Sequence, residues 1–233
     1  MSGLARLTCV DFKNTKRSIP TPGPFDAIRF IHNALRAELS TIEAAASSLD
    51  ASNAEQLSAL SSQFTEFEKF VKMHEAGEEN VIFPAIAAKA PNLVPAYDLD
   101  HRSNDRLIDE IQAALKAKDA KQAYRQAVAL NSTMSLHLDK EEQDLYAVGG
   151  VLLSPPEQGA LIGQTNAQIP KENMPWGVGY MFSRMDTASR VGMLKAMQPG
   201  MPPEALKGVG GIVAGAIGAD AWAEVVQQMP ELA

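Results

Sequence analysis

The chain is poor in the residues that would commit it to several common architectures. One cysteine, Cys9, stands among 233 residues, so no internal disulfide can staple the fold and Cys9 reads as a free thiol in an N-terminal arm. Aromatic residues make up only 6% of the chain, and no stretch alternates apolar and polar residues as a half-buried strand does. Basic residues are outnumbered, 21 against 28 acidic ones, and form no Lys/Arg run; with a net charge of −7, neither nucleic acid nor an anionic membrane surface is a natural partner. No apolar run reaches the ~18 residues of a membrane span, and none follows the basic residues near the N-terminus. A cytoplasmic protein acting on a small ligand is the expectation. Histidine is scarce too, with four in the whole chain, and its placement carries the most information.

What is present is helical periodicity. After Pro20-Thr-Pro-Gly-Pro24, apolar residues three and four apart (Phe25, Ile28, Leu35, Leu39, Ile42, Leu49) predict a first helix whose inward seam includes His32. Asp50-Ala-Ser-Asn53 supplies cap-forming residues before a second helix through Leu57, Phe64, Val71, His74 and Glu78, which Pro84 is expected to end or kink. A third seam runs Tyr97, His101, Asn104, Ile108, Leu115, and a fourth Ala123, Leu130, Met134, His137, Glu141, with Gly149-Gly150 reading as its C-cap. Four helices joined by short loops predict an all-α, up-down four-helix bundle. Residues 1–23 form the arm, 24–150 the bundle and 151–233 a C-terminal helical appendage with short helices near 155–168, 174–184, 187–197, 202–216 and 219–229. That region holds 11 of the 16 glycines and seven of the ten methionines. Gly211 and Gly215 would allow close helix approach, while Met181, Met185, Met193 and Met197 read as plastic core.

The bundle centres on His74-Glu-Ala-Gly-Glu78 and its echo sixty-three residues later, His137-Leu-Asp-Lys-Glu141. Residues at i and i+4 on a helix lie one above the other, so each pair can grip one ion. His32 and His101 come early on odd helices and His74 and His137 late on even ones. At ~1.5 Å rise per residue, all four imidazoles and both glutamates therefore fall in one layer of an up-down bundle. Six such groups taken into a core without a cation would be a large unfavourable contribution. Structural zinc would use four ligands, usually rich in Cys, and magnesium or calcium would prefer oxygen. Four imidazoles and two carboxylates suit a pair of first-row ions, with iron favoured and manganese or zinc as competitors, each ion taking two His and sharing Glu78 and Glu141. Asp105, four residues after His101, is a lesser ligand candidate. Glu79 is expected on the outer face with little role.

These residues together (His32; His74-Glu75-x-x-Glu78-Glu79 leading into Ile82-Phe83-Pro84; His101; His137-x-x-x-Glu141-Glu142 leading into Leu145-Tyr146) resemble the hemerythrin-like, HHE cation-binding family over about residues 25–148. The resemblance implies a non-haem di-iron centre with His32, His74, His101 and His137 as terminal ligands and Glu78 and Glu141 as bridges. It further implies an oxo or hydroxo bridge between the irons. Glu75 matches a position that supplies a further carboxylate in iron-sensing members. Asp105 stands where oxygen-storing members have a second His, and a Glu at i+4 where they have an Asp at i+5. Three functions follow as expectations: a protein that binds or senses O₂, NO, peroxide or iron; a di-iron oxidoreductase that consumes peroxide or reduces NO, with Glu75, Asp105 or Tyr97 as proton donors; and an iron sensor acting through metal-dependent stability. In the last, the C-terminal region would meet a protein partner.

Overall fold

The computed structural model describes residues 23–233, so the expected arm up to residue 22, with Cys9, lies outside the described residues. Every regular element among those residues is helical. A 3₁₀ turn, Pro24–Ala27, leads into α1, Ile28–Ser47. Asn53 then opens α2, Ala54–Gly77, its side chain accepting the backbone N–H groups of Glu55 and Gln56 at 3.1 Å, two of the donors a helix start leaves orphaned.

Pro84 does not end this helix. The backbone widens into a π-helical turn, Glu78–Ile82, and continues as α3, Phe83–Ala87, with Pro84 in its first turn. Proline lacks an N–H and its ring crowds the carbonyl one turn earlier; a wide turn just ahead of it accommodates both defects. α4, Pro95–Lys116, and α5, Ala120–Lys140, complete the four long helices, Asp119 capping α5 through the N–H of Gln122 at 3.0 Å. A second π turn, Glu141–Leu145, joins α5 to α6, Tyr146–Leu152. Gly149 and Gly150 lie inside α6 and do not cap it. A Cβ on Gly149 would stand 3.0 Å from Ile86 Cδ1 and 3.2 Å from Phe25 Cε2, so glycine is needed there for close packing.

The C-terminal region forms α7, Pro155–Gln168; α8, Met174–Ser183; α9, Thr187–Met197; α10, Pro203–Ile217; and α11, Ala219–Gln228. It is packed on the bundle. Tyr180, Phe182, Leu194, Val213 and Val225 belong to the same buried cluster as Leu39, Phe67, Ile108 and Leu130 of the long helices. Met181 and Met185 are buried in it, with Met193 and Met197 packed against it, as the plastic-core reading requires. Arg184 clasps Glu38 of α1 through Nε at 2.8 Å and Nη2 at 3.1 Å, and Gln63 of α2 donates to the same carboxylate at 3.2 Å. Gly211 and Gly215 meet nothing within 4 Å; the close approach in α10 is at Gly210, against Trp222 at 3.2 Å.

A second buried cluster, with Phe25, Ile82, Phe83, Ile86, Tyr97, Leu145 and Tyr146, closes the other end of the bundle. The residues of the candidate site lie where each long helix passes from one cluster to the other, with His137 between Met134 and Leu138 at the edge of the first.

Two glycines give opposite expected outcomes. A Cβ at Gly192 would sit 2.3 Å from Phe30 Cζ, so Gly192→Val should separate α9 from α1 and lower stability by about 1–3 kcal/mol. Gly211→Ala, on an exposed helical face, should raise it by about 0.5–1 kcal/mol. Denaturant midpoints of the two variants check both signs.

Candidate metal centre

Four helices each deliver one imidazole, and two of them a carboxylate one turn further on. His74 Nε2 faces Glu78 Oε1 at 3.4 Å, and His101 Nε2 faces Glu78 Oε2 at 3.5 Å. Likewise His32 Nε2 faces Glu141 Oε2 at 3.5 Å, and His137 Nε2 faces Glu141 Oε1 at 3.3 Å. Each glutamate thus lies between two imidazoles of different helices. Ligand atoms of His32, His74, Glu78 and Glu141 lie within 4.8 Å of one another, as do those of His101, His137 and Glu141.

The fit to a cation rests on atoms with nothing else to do. Nε2 of His32, His74 and His101, Oε2 of Glu78 and both carboxylate oxygens of Glu141 are buried and have no hydrogen-bond partner among the described residues. Such groups in a native interior are nearly always paired. Their convergence, in imidazole nitrogens and carboxylate oxygens, makes a donor set that could hold a metal ion.

The outer edges of the rings are held as well. His32 Nδ1 meets Glu142 Oε1 at 2.9 Å, His101 Nδ1 meets Glu79 Oε1 at 2.9 Å, and His137 Nδ1 meets Asp100 Oδ2 at 3.2 Å. A carboxylate on one ring nitrogen keeps the proton there and aims the other lone pair at the centre. The expectation for Glu79 is therefore corrected: it touches His101 of the neighbouring helix. Both π turns begin at the inner glutamate, and the wider turn changes the helical phase so that two consecutive glutamates serve one layer. The doubled Glu in both motifs was the available signal.

Other expected residues stand apart from the converging atoms. Glu75 is buried, but its carboxylate is 3.7 Å from Lys72 Nζ and belongs to neither group of ligand atoms. Asp105 is turned outward to Lys72. The hydroxyl of Tyr97 donates to the carbonyl of Lys140 at 3.2 Å. The hydroxyl that does reach the centre is that of Tyr146, which donates to Glu78 Oε1. Tyr146 follows Glu141 by five residues, one π turn, and its ring packs against Phe25 and His32.

Burial sets the electrostatics. It pushes the carboxyls of Glu78 and Glu141 well above the usual range, helped by their mutual proximity at Glu78 and by Glu142 at Glu141. It pushes His32, His74 and His101 down, and His137 down to about 4. Without a cation, then, the layer resists every charge on its own groups; a cation favours the ionised carboxylates.

Glu75 gives a pH dependence that can be isolated. Burial, then Asp105, raises its carboxyl to about 9. Between pH ~4.5 and ~9 the unfolded chain has released this proton while the folded one retains it, so stability falls as pH rises through that window. Glu75→Gln should remove this residue's share of the slope, worth up to about 1.4 kcal/mol per pH unit, and leave the shares of Glu78 and Glu141 in place. Urea unfolding of the metal-free wild type and variant at several pH values in this window measures it; parallel curves would contradict the assignment.

The chain is similar to known proteins over the region that contains this site. Two Arabidopsis thaliana proteins, each named zinc finger protein BRUTUS-like, are 29% identical over 161 and 171 residues, covering 63% and 65% of this chain and 13% of their own length. Zinc finger protein BRUTUS of the same plant is 24% identical over 181 residues, covering 73% of this chain and 14% of its own length. The chain thus spans about one seventh of the curated relatives it matches. The BRUTUS alignment is longer than the arm and bundle together, so it runs into the C-terminal region. No solved structure matches. Residues 23–148 match the hemerythrin HHE cation binding domain, and the chain belongs to that family.

Proposed function

We propose that the chain holds two first-row metal ions, iron foremost, one between His32 and His74 and one between His101 and His137, with Glu78 and Glu141 shared. The centre then takes up a small ligand such as O₂, NO or peroxide. The observation that carries this reading is the set of buried, unpartnered Nε2 and Oε atoms pointing at one another. Each such atom, left unsatisfied, costs about 1–3 kcal/mol. Iron, when bound, supplies Lewis acidity and a second accessible oxidation state. The residues do the rest: neutral imidazoles outnumber carboxylates, so the site carries little negative charge and favours reversible ligand uptake over high oxidation states. The apolar cluster around Phe25, Phe83 and Tyr97 excludes water from one side.

Two observations support further readings. The Tyr146 hydroxyl on Glu78 places a proton beside the centre, which favours an oxidoreductase that consumes peroxide or reduces NO. The shared core of the bundle and the C-terminal region favours a sensor in which ion binding stabilises that region and thereby governs a partner surface.

Purified wild type loaded anaerobically should contain two iron ions per chain and change its charge-transfer absorption on exposure to O₂ or NO; no uptake of iron would defeat the proposal. Glu78→Ala should retain about one ion while staying folded, because the four apolar seams still pack. Peroxide or NO removed in excess of iron separates the enzyme from a binding protein. Iron at ~100-fold above its dissociation constant should raise Tm by roughly 5–10 °C. A metal-free form as stable as the loaded one would exclude sensing through stability.

A further inference from the structure

The four imidazoles are not held alike. On α4 and α5 both rings have a carboxylate on Nδ1: Glu79 for His101, with no cation sharing it among the described residues, and Asp100 for His137, shared with Lys140. On α1 and α2 only His32 has one, and Glu142 divides its oxygen between His32 and Arg36, whose Nη1 stands at 2.8 Å. No hydrogen bond reaches His74 Nδ1 from the described residues. Its side chain is also the most exposed of the four, 10% against 0, 1 and 4% for His32, His101 and His137.

Glu78 is divided in the same sense. Its Oε1, facing His74, already accepts from Tyr146, whereas Oε2, facing His101, is unpartnered. A carboxylate behind an imidazole fixes the ring and raises its basicity, and loss of such a partner typically weakens metal binding about 10–100-fold. A lone pair engaged by a hydroxyl donates less to a cation.

We propose that the two ion positions are unequal: the one between His101 and His137 fills first and holds its ion, while the one between His32 and His74 is exchangeable and follows ion availability. The inference rests on the two-ion reading above and adds which ion leaves. Glu79 and Asp100 act as positioning residues of the tight position. His74, most exposed and without a carboxylate behind it, is the weak ligand of the other.

The test is titration of the metal-free full chain with cobalt(II), followed by its visible absorption and by calorimetry. The expected result for wild type is two ions bound in two steps separated by about tenfold or more in affinity. His74→Ala should lose the weak step and keep the tight one. Glu79→Ala should weaken the tight step by about 10–100-fold and bring the two together, with Glu79→Gln, which keeps an acceptor without the charge, falling between. Metal-free Glu79→Ala should melt like wild type, because the residue is half exposed. Two equal constants in wild type, or loss of the tight step in His74→Ala, would overturn the inequality while leaving the two-ion reading intact. Binding of no cobalt, or of one ion only, would overturn that reading and this inference with it.

Discussion

The constraint on which the rest of the structure depends is the burial of four imidazoles and two carboxylates in one layer of a helical core. An apolar bundle of this size could be built from leucine and phenylalanine alone; replacing its middle layer with titratable groups forces the surrounding design. The layer lies between two apolar clusters, one centred on Phe67, Ile108 and Leu130 and the other on Phe83, Ile86 and Tyr146. Water is thereby excluded, and the electrostatic interactions of anything held there are strengthened. The same exclusion drives the carboxyls up and the imidazoles down, so the six groups by themselves cannot supply the charge that would satisfy them.

The two π turns are the backbone's response to that layer. In a regular helix, consecutive residues are rotated by about 100°, so a glutamate beside an inward one points away. In each half of the bundle the widened turn places the first glutamate in the centre and sends the second across to a histidine of another helix: Glu78 and Glu79 toward His101, Glu141 and Glu142 toward His32. The same pattern of contacts thus follows α2 and α5. Pro84 follows the first π turn but has no counterpart after the second, so proline is compatible with the wide turn without being its cause. π turns of this kind recur at functional sites because they re-aim side chains without breaking the helix.

Much of this was legible in the sequence. Period 3.6 and capping residues located the helices, and the i, i+4 pairs with two further inward histidines located the layer, because both signals are local or follow from helix rise. What was not legible depended on departures from regular geometry or on partners distant in sequence. Glu79 reads as exposed on a regular helix and becomes a histidine partner only through the π turn. Gly149-Gly150 has the composition of a C-cap, yet tertiary packing against Ile86 and Phe25 decides its role. Gly211 and Gly215 have the spacing of a helix contact, but the neighbouring chain passes at Gly210. Tyr146 was visible as part of the motif, and its contact with Glu78, sixty-eight residues earlier, was not.

The C-terminal region bears on the centre through the two helices it covers. Arg184 grips Glu38 on α1, Ser189 accepts from Asn33 on α1, and Gly192 is seated against Phe30; on α2, Trp176 donates to Glu66, Gly177 is seated against Met73, and Thr165 is seated against Gly77. Phe30 and Asn33 flank His32 in sequence, and Met73 and Gly77 flank His74 and Glu78. The described contacts of this region thus concentrate on the two helices that carry His32 and His74. If the position between those histidines is the exchangeable one, as proposed above, the ion that comes and goes lies beneath the helices that support residues 155–232. Loss of that ion would leave Nε2 of His32 on α1 and of His74 on α2 unsatisfied, together with the Glu141 oxygen that faces His32, and the packing loosened on those two helices would be that of the C-terminal region before that of α4 on α5.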